Sequence, residues 1–241
     1  RHASRRFPDR ITSLVRPERG AGVSKVLGVL GGMGPAATVA FLARVQALTP
    51  AEGDADHIRV IADINPKVPD RNRQPDAAET VLGQMAMRLR DAGAQVLAMP
   101  CNTAHAQAGM ARKVLPFIDM IEETARAATT DDVKKIGVLA TPGGEALYAR
   151  AVQTGGRRIV RLAGTDRQAF MTCIYAVKAG DISDARRNEM RRLAGALVAS
   201  GAEVVISGCT EVPLLLDAAD VTVPLVDSAE VLAQACVDRC K

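Results

Sequence analysis

The sequence predicts an α/β protein of two pseudo-symmetric lobes, each a mostly parallel sheet flanked by helices, with the active site in the cleft between them. Three observations predict it. Short apolar runs alternate with longer stretches whose apolar residues recur at helical spacing. Gly93 to His105, Gly-Ala-Gln-Val-Leu-Ala-Met-Pro-Cys-Asn-Thr-Ala-His, has a twin in Gly201 to Glu211, Gly-Ala-Glu-Val-Val-Ile-Ser-Gly-Cys-Thr-Glu. The twins stand 108 positions apart, Gly93 to Gly201 and Cys101 to Cys209. The offset also holds elsewhere. Pro116-Phe117-Ile118-Asp119 matches Pro224-Leu225-Val226-Asp227, and Met85 and Leu89 match Leu193 and Leu197, while Gly28-Val29-Leu30 matches Gly137-Val138-Leu139 at 109. Two copies are too few for a solenoid, so they read as two lobes with a cysteine at the same place in each.

Lys25 to Leu30 is the first strand and runs into the turn Gly31-Gly32-Met33-Gly34-Pro35, with a helix from Ala36 or Ala37 to about Leu48. Glycines at a strand-to-helix turn let backbone N–H groups approach an anion. The turn lacks the Gly-x-Gly-x-x-Gly and Gly-Lys-Ser/Thr nucleotide patterns, so it is read as a cradle for a small carboxylate, the alternative being a tight turn without a ligand. His57 to Ile64 is a strand ending at Asn65-Pro66, and the proline-stiffened loop after it carries Lys67, Arg71 and Arg73. Ala77 to Asp91 is helical, with Val81, Met85 and Leu89 on one face. Gln95 to Met99 is a buried strand stopped by Pro100. Asn102 and Thr103 are helix-starting residues, which would put Cys101 at a helix N-terminus that favours a thiolate. His105, four residues on, orients that helix start or lines the site. Four-ligand zinc is not supported, because no second ligand pair is visible.

Val114 to Ile118 is a strand and Met120 to Thr129 a helix. The second copy begins near Asp132, with a strand at Lys135 to Ala140 and a turn at Thr141-Pro142-Gly143-Gly144. Leu147 to Val152, Phe170 to Ala179 and Arg186 to Ser200 read as helices, and Arg158 to Leu162 as a strand. Leu214, Leu215 and Leu216 pack behind Cys209. After Val221 to Val226 the last helix runs from Ala229 to Arg239. The lobes are assigned as 24–118 plus 222–241 and 119–221. Residues 1–23, Arg-rich and without an apolar h-region, are set aside as a leader or disordered arm.

The chain has no Trp, two Tyr and four Phe, so the core must come from Ala, Val, Leu, Ile and Met. No run approaches the ~20 apolar residues of a membrane span. The net charge of +4 comes from the first residues, and aromatic platforms with basic stripes are missing, so neither a membrane nor a nucleic acid is expected as partner. Five cysteines, an odd number, argue against a secreted disulfide framework and for a reducing cytoplasm. Cys173 and Cys236 are expected to pack as small apolar residues and Cys240 to be an exposed thiol.

Two lobes facing across a cleft would oppose Cys101 and Cys209. One thiolate can then remove a proton from a stereocentre while the opposing thiol returns one to the other face, which inverts configuration. Donors at Asn102, Thr103 and Thr210 and at the glycine-rich turns could stabilise the enolate-like state.

At these residues the chain resembles the aspartate/glutamate racemase superfamily, most closely its aspartate racemase branch. The motifs are Gly31-Gly32-Met33-Gly34-Pro35, Pro69-Asp70-Arg71, Cys101-Asn102-Thr103-Ala104-His105, Lys178-Ala179-Gly180 and Gly208-Cys209-Thr210-Glu211. The resemblance implies a cofactor-independent, two-thiol amino-acid racemase, with Arg71 and Lys178 on the side-chain carboxylate and the Cys101 and Cys209 helix starts on the α-carboxylate. It also implies a homodimer. The candidate site is Cys101 and Cys209 as catalytic residues, with Met33, Arg71, Asn102, Thr103, Thr141, Lys178, Thr210 and Glu211 around an amino-acid substrate, aspartate first. The competing readings are a maleate-type cis–trans isomerase or decarboxylase on the same fold, and a non-catalytic amino-acid-binding module.

Overall fold

A computed structural model describes residues 24–71, 73–129 and 132–241, so the reading of residues 1–23 lies outside the described residues. Its elements are β1 (Leu27–Gly31), α1 (Pro35–Leu48), β2 (Val60–Ile64), α2 (Pro75–Asp91), β3 (Val96–Ala98), α3 (Gly109–Arg112), β4 (Phe117–Ile118), α4 (Met120–Ala128), β5 (Lys135–Leu139), α5 (Pro142–Ala151), β6 (Arg158–Arg161), α6 (Gly164–Lys178), α7 (Asp184–Ala199), β7 (Val204–Ser207), β8 (Leu225–Asp227) and α8 (Ser228–Cys240). Two sheets form, in the orders β2-β1-β3-β4 and β6-β5-β7-β8, and every pairing is parallel. Helices flank both sheets, so the central strands β1, β3 and β7 are buried throughout, which is why they read as unbroken apolar runs.

The repeat is written into the sheet register. Gly28 lies opposite Leu97, and its counterpart Gly137 lies opposite Val205. A Cβ on Gly28 would stand 2.8 Å from the Ala94 Cβ, and one on Gly137 2.9 Å from the Ala202 Cβ. Both positions need glycine because the chain entering the neighbouring strand presses on them.

Strands are shorter than the apolar runs suggested. His57 to Ile64 narrows to β2, and Val114 to Ile118 to β4. Helices start earlier than their apolar faces: α5 begins at Pro142 rather than Leu147, and α6 at Gly164 rather than Phe170. For α5 the first turn is set by the Thr141 cap and Pro142 at its start, not by an apolar face.

The lobes exchange helices. Asp119 caps α4, accepting from the Ile121 and Glu122 N–H groups, and its counterpart Asp227 caps α8, accepting from Ala229. From β4 the chain crosses over, and α4 packs Ile121, Ala125 and Ala128 on Ile136, Val138, Val204 and Ile206 of the second sheet. From β8 it crosses back, and α8 packs Leu232, Ala233 and Cys236 on Leu27, Val29, Val96 and Ala98 of the first. The assignment of 222–241 to the first lobe is therefore corrected. β8 hydrogen-bonds to β7 and belongs to the second sheet, and only α8 returns. The repeat also departs where the connection between β2 and α2 of the first copy is matched by α6, between β6 and α7, in the second.

Among the described residues no helix is long and apolar enough to cross a membrane. All five cysteines are free and buried. Cys173 packs with Phe170, Ile174 and Leu193. Cys240 is not the exposed thiol expected from its terminal position: it is 1 % exposed, in the same core as Cys236. Burial pushes the thiols of Cys101, Cys173, Cys209, Cys236 and Cys240 upward. A thiol raised in the folded state stabilises the fold fully below the unfolded thiol pKa of about 8.5, and that stability is lost as pH rises above it. Cys236 alone is expected to cost about 2 kcal/mol at pH 10, roughly 4–8 °C in Tm. Thermal unfolding at pH 7 and pH 10 in reductant tests this, and Cys236→Ala should make the alkaline fall smaller.

Candidate active site

Both cysteines follow the carboxyl ends of central strands, the edge at which parallel α/β sheets place ligands. Cys101 comes after β3 and Cys209 after β7, and they are 5 % and 6 % exposed. Neither opens an α-helix. A 3₁₀ turn, Thr103–Gln107, follows Cys101, and another, Val212–Leu214, follows Cys209. The expected acidification by a helix N-terminus is thus corrected. Both thiols are pushed up, first by burial. Arg71 and Lys178 pull Cys101 back down, and Lys178 does so for Cys209, while Glu211 pushes both further up. The two thiols therefore share Lys178 and Glu211 as charged neighbours.

A cavity of about 220 Å³ is lined by Gly32, Met33, Gly34, Pro66, Arg71, Val177, Lys178, Glu211 and Leu214, among others; neither cysteine lines it, but their charged neighbours Arg71, Lys178 and Glu211 do. It is below the ~300 Å³ at which sites for drug-sized ligands begin, so its size suits a small metabolite. Gly32 brings two walls together: it has φ +98°, and a Cβ there would lie 2.4 Å from the Asn65 backbone. Only glycine allows this approach of the β2 loop, which carries Arg71. Arg71 is held by Nη1 donating to the Pro69 carbonyl at 3.5 Å, and its buried Nε has no hydrogen-bond partner among the described residues. Lys178 ends α6, the element that replaces the Arg71 loop in the second copy, so both cations occupy corresponding places in the repeat.

Glu211 is 4 % exposed. Its Oε2 accepts from the Cys209 Sγ at 2.9 Å and from Thr210 Oγ1 at 3.5 Å, and its Oε1 stands 4.0 Å from Lys178 Nζ. Thr103 and Thr141 join the lobes, their hydroxyl oxygens 2.7 Å apart, and Thr141 also caps α5 by accepting from the Gly144 N–H at 3.4 Å. Asn102 is placed differently from the expectation of a substrate donor. Its Nδ2 donates to Ser228 Oγ at 3.0 Å, and its Oδ1 accepts from Tyr148 OH at 2.5 Å. It fixes the turn after Cys101 to the second lobe. His105 locks the same turn from below. Its Nε2 accepts from the Met120 N–H at 3.1 Å, so Nδ1 carries the proton and donates to the Cys101 carbonyl at 2.9 Å. Both ring nitrogens are engaged, so Cys101 and His105 do not form a ligand pair.

Tyr148 and Ser228 are the residues that the sequence reading missed. The one available signal was that Tyr148 is one of only two tyrosines. Tyr148→Phe leaves the buried Asn102 Oδ1 without its donor and is expected to cost about 1–3 kcal/mol. Urea unfolding of the variant measures this loss. A larger cavity, about 570 Å³, is lined by Arg44, Asp227 and Glu230, with Arg44 and Asp227 paired at 3.0 Å; none of the charged neighbours of the thiols, Arg71, Lys178 and Glu211, lines it.

The model of the Asp/Glu/hydantoin racemase family matches residues 30–236. The broad specificity amino-acid racemase RacX of Bacillus subtilis is 28 % identical over 222 residues, covering 88 % of this chain and 96 % of the relative. A glutamate racemase of Pseudomonas entomophila is 27 % identical over 231 residues, covering 90 % of this chain and 80 % of the relative. Among solved structures, the Picrophilus torridus aspartate racemase superposes with a TM-score of 0.77 at 26 % identity, covering 89 % of this chain and 93 % of that one.

Proposed function

The chain belongs to the Asp/Glu/hydantoin racemase family, and from that premise we propose that it racemises an acidic amino acid, aspartate first, by two-base proton transfer between Cys101 and Cys209. The observation that carries the reading is the pair of buried thiols sharing Lys178 and Glu211 as charged neighbours, which line one cavity together with Arg71. One thiolate takes the α-proton, and the other thiol delivers a proton to the opposite face. The acid and base then exchange roles for the reverse direction. Arg71 and Lys178 receive the side-chain carboxylate; the unpartnered Arg71 Nε supports this, because a guanidinium favours two-point contact with a carboxylate.

Aspartate is put before glutamate because the Picrophilus torridus aspartate racemase is matched over 93 % of its own length, against 80 % for the Pseudomonas entomophila glutamate racemase. The test is proton NMR of L- and D-aspartate, then of both glutamates, in D2O with no added cofactor. Loss of the α-proton signal with growth of the other enantiomer is the expected result, faster for aspartate. Exchange with none of these amino acids would remove the assignment and bring forward a cis–trans isomerase, a decarboxylase or a binding module.

A further inference from the structure

Three ionisable side chains line the cavity among its described residues: Arg71, Lys178 and Glu211. The two cations serve the side-chain carboxylate, and the single anion is the one charge in the lining that matches an ammonium. The cations have a role in the proposed reaction, and the anion has none yet.

Glu211 is poorly satisfied for a buried carboxylate. Oε2 is engaged by Cys209 and Thr210, but Oε1 has no hydrogen-bond partner among the described residues, and Lys178 Nζ, at 4.0 Å, pairs with it by charge alone. A buried charged acceptor left without a donor is costly. Oε1 faces the glycine-rich turn, for a Cβ on Gly34 would stand 3.4 Å from it. It therefore points into the space between Cys209 and the start of α1.

The repeat supplies an independent reason. The position equivalent to Glu211 in the first copy is Thr103, 108 residues earlier, so an acid stands beside one thiol and a neutral hydroxyl beside the other. Proton transfer between two thiols calls for symmetry. The α-carbon between them does not have it, because one substituent is an ammonium and another a carboxylate. A site built from two equal halves must therefore differ where those substituents lie.

We propose that Glu211 Oε1 receives the α-ammonium of the substrate, which makes the site select α-amino dicarboxylates over dicarboxylates that lack the amine. This rests on the amino-acid racemase reading. Oε2, on the same carboxylate, keeps Cys209 aimed at the carbon that bears the ammonium, so one residue couples recognition to the position of the thiol.

The test is calorimetric binding of L-aspartate and of succinate, which has the same two carboxylates and four carbons without the amine, to wild type and to Glu211→Gln. The expected result is an aspartate affinity weakened ~10–100-fold, with succinate unchanged or tighter, so the preference for aspartate collapses. The ratio of the two affinities is insensitive to the fraction of folded variant. Equal weakening of both ligands, or an unchanged aspartate affinity, overturns the proposal, as does a wild type that binds succinate but not aspartate or binds neither. Wild type that binds aspartate in preference to succinate yet exchanges no α-proton in D2O would sink the racemase reading while leaving the ammonium contact standing.

Discussion

Alanine at either Cys101 or Cys209 is expected to lower racemisation by ~10²–10⁴-fold, the usual contribution of a positioned proton-transfer group. Each thiol serves as base in one direction and acid in the other, so neither variant should retain turnover in either direction. The fold should survive, since each change removes one small buried side chain. The two variants should nonetheless differ in isotope exchange. With Cys209 removed, Cys101 can still abstract a proton from the enantiomer that presents it and return deuterium to the same face. That enantiomer then loses its α-proton signal without inverting, and Cys209 alone does the same for the mirror substrate. Chiral chromatography beside NMR in D2O separates exchange from inversion. Full racemisation by Cys101→Ala or Cys209→Ala would end the two-thiol mechanism. Because burial raises both thiols, the wild-type rate should climb as pH rises from 7 toward 9, following the thiolate fraction.

Arg71→Ala and Lys178→Ala are expected to raise KM for aspartate by ~10–100-fold each, the value of a charge-assisted hydrogen bond. The effect on kcat should be smaller, because the side-chain carboxylate carries charge in ground and transition states alike and its binding is largely uniform. Arg71→Lys should recover only part of the loss, since an ammonium cannot make a two-point contact with a carboxylate. An amino acid with an uncharged side chain should respond little to either change. Steady-state kinetics with aspartate and alanine distinguish this from a general loosening of the cavity, which would raise KM for both. Lys178 also stands beside both thiols, so its removal should shift the alkaline rise in rate upward, whereas Arg71 should do so only through Cys101.

Much of this molecule is legible in one dimension. The 108-residue offset marks the lobes, and the sheets carry it in their register, with Gly28 and Gly137 pressed by equivalent neighbours. Buried parallel strands must be apolar on both faces, so β3 and β7 stand out in the sequence. Arg71 could be singled out because its loop follows the carboxyl end of a strand, whereas Lys178 and Glu211 were marked only by the resemblance of their motifs to the racemase superfamily. The first turn of α5 was missed because it depends on the Thr141 cap and Pro142 rather than on apolar periodicity, and that of α6 because its first residues, Gly164 to Gln168, carry no apolar face.

What the sequence by itself determined is the repeat, the class of the fold and the residue types available to the site, since each leaves a local or periodic signature. Only the tertiary structure decided that α4 and α8 exchange lobes, that the thiols are raised rather than lowered, and that Asn102 is committed to Tyr148 and Ser228. These features depend on contacts between distant positions, such as Asn102 and Ser228, 126 residues apart. Desolvation and hydrogen-bond competition act through space, and no local pattern of residues encodes them.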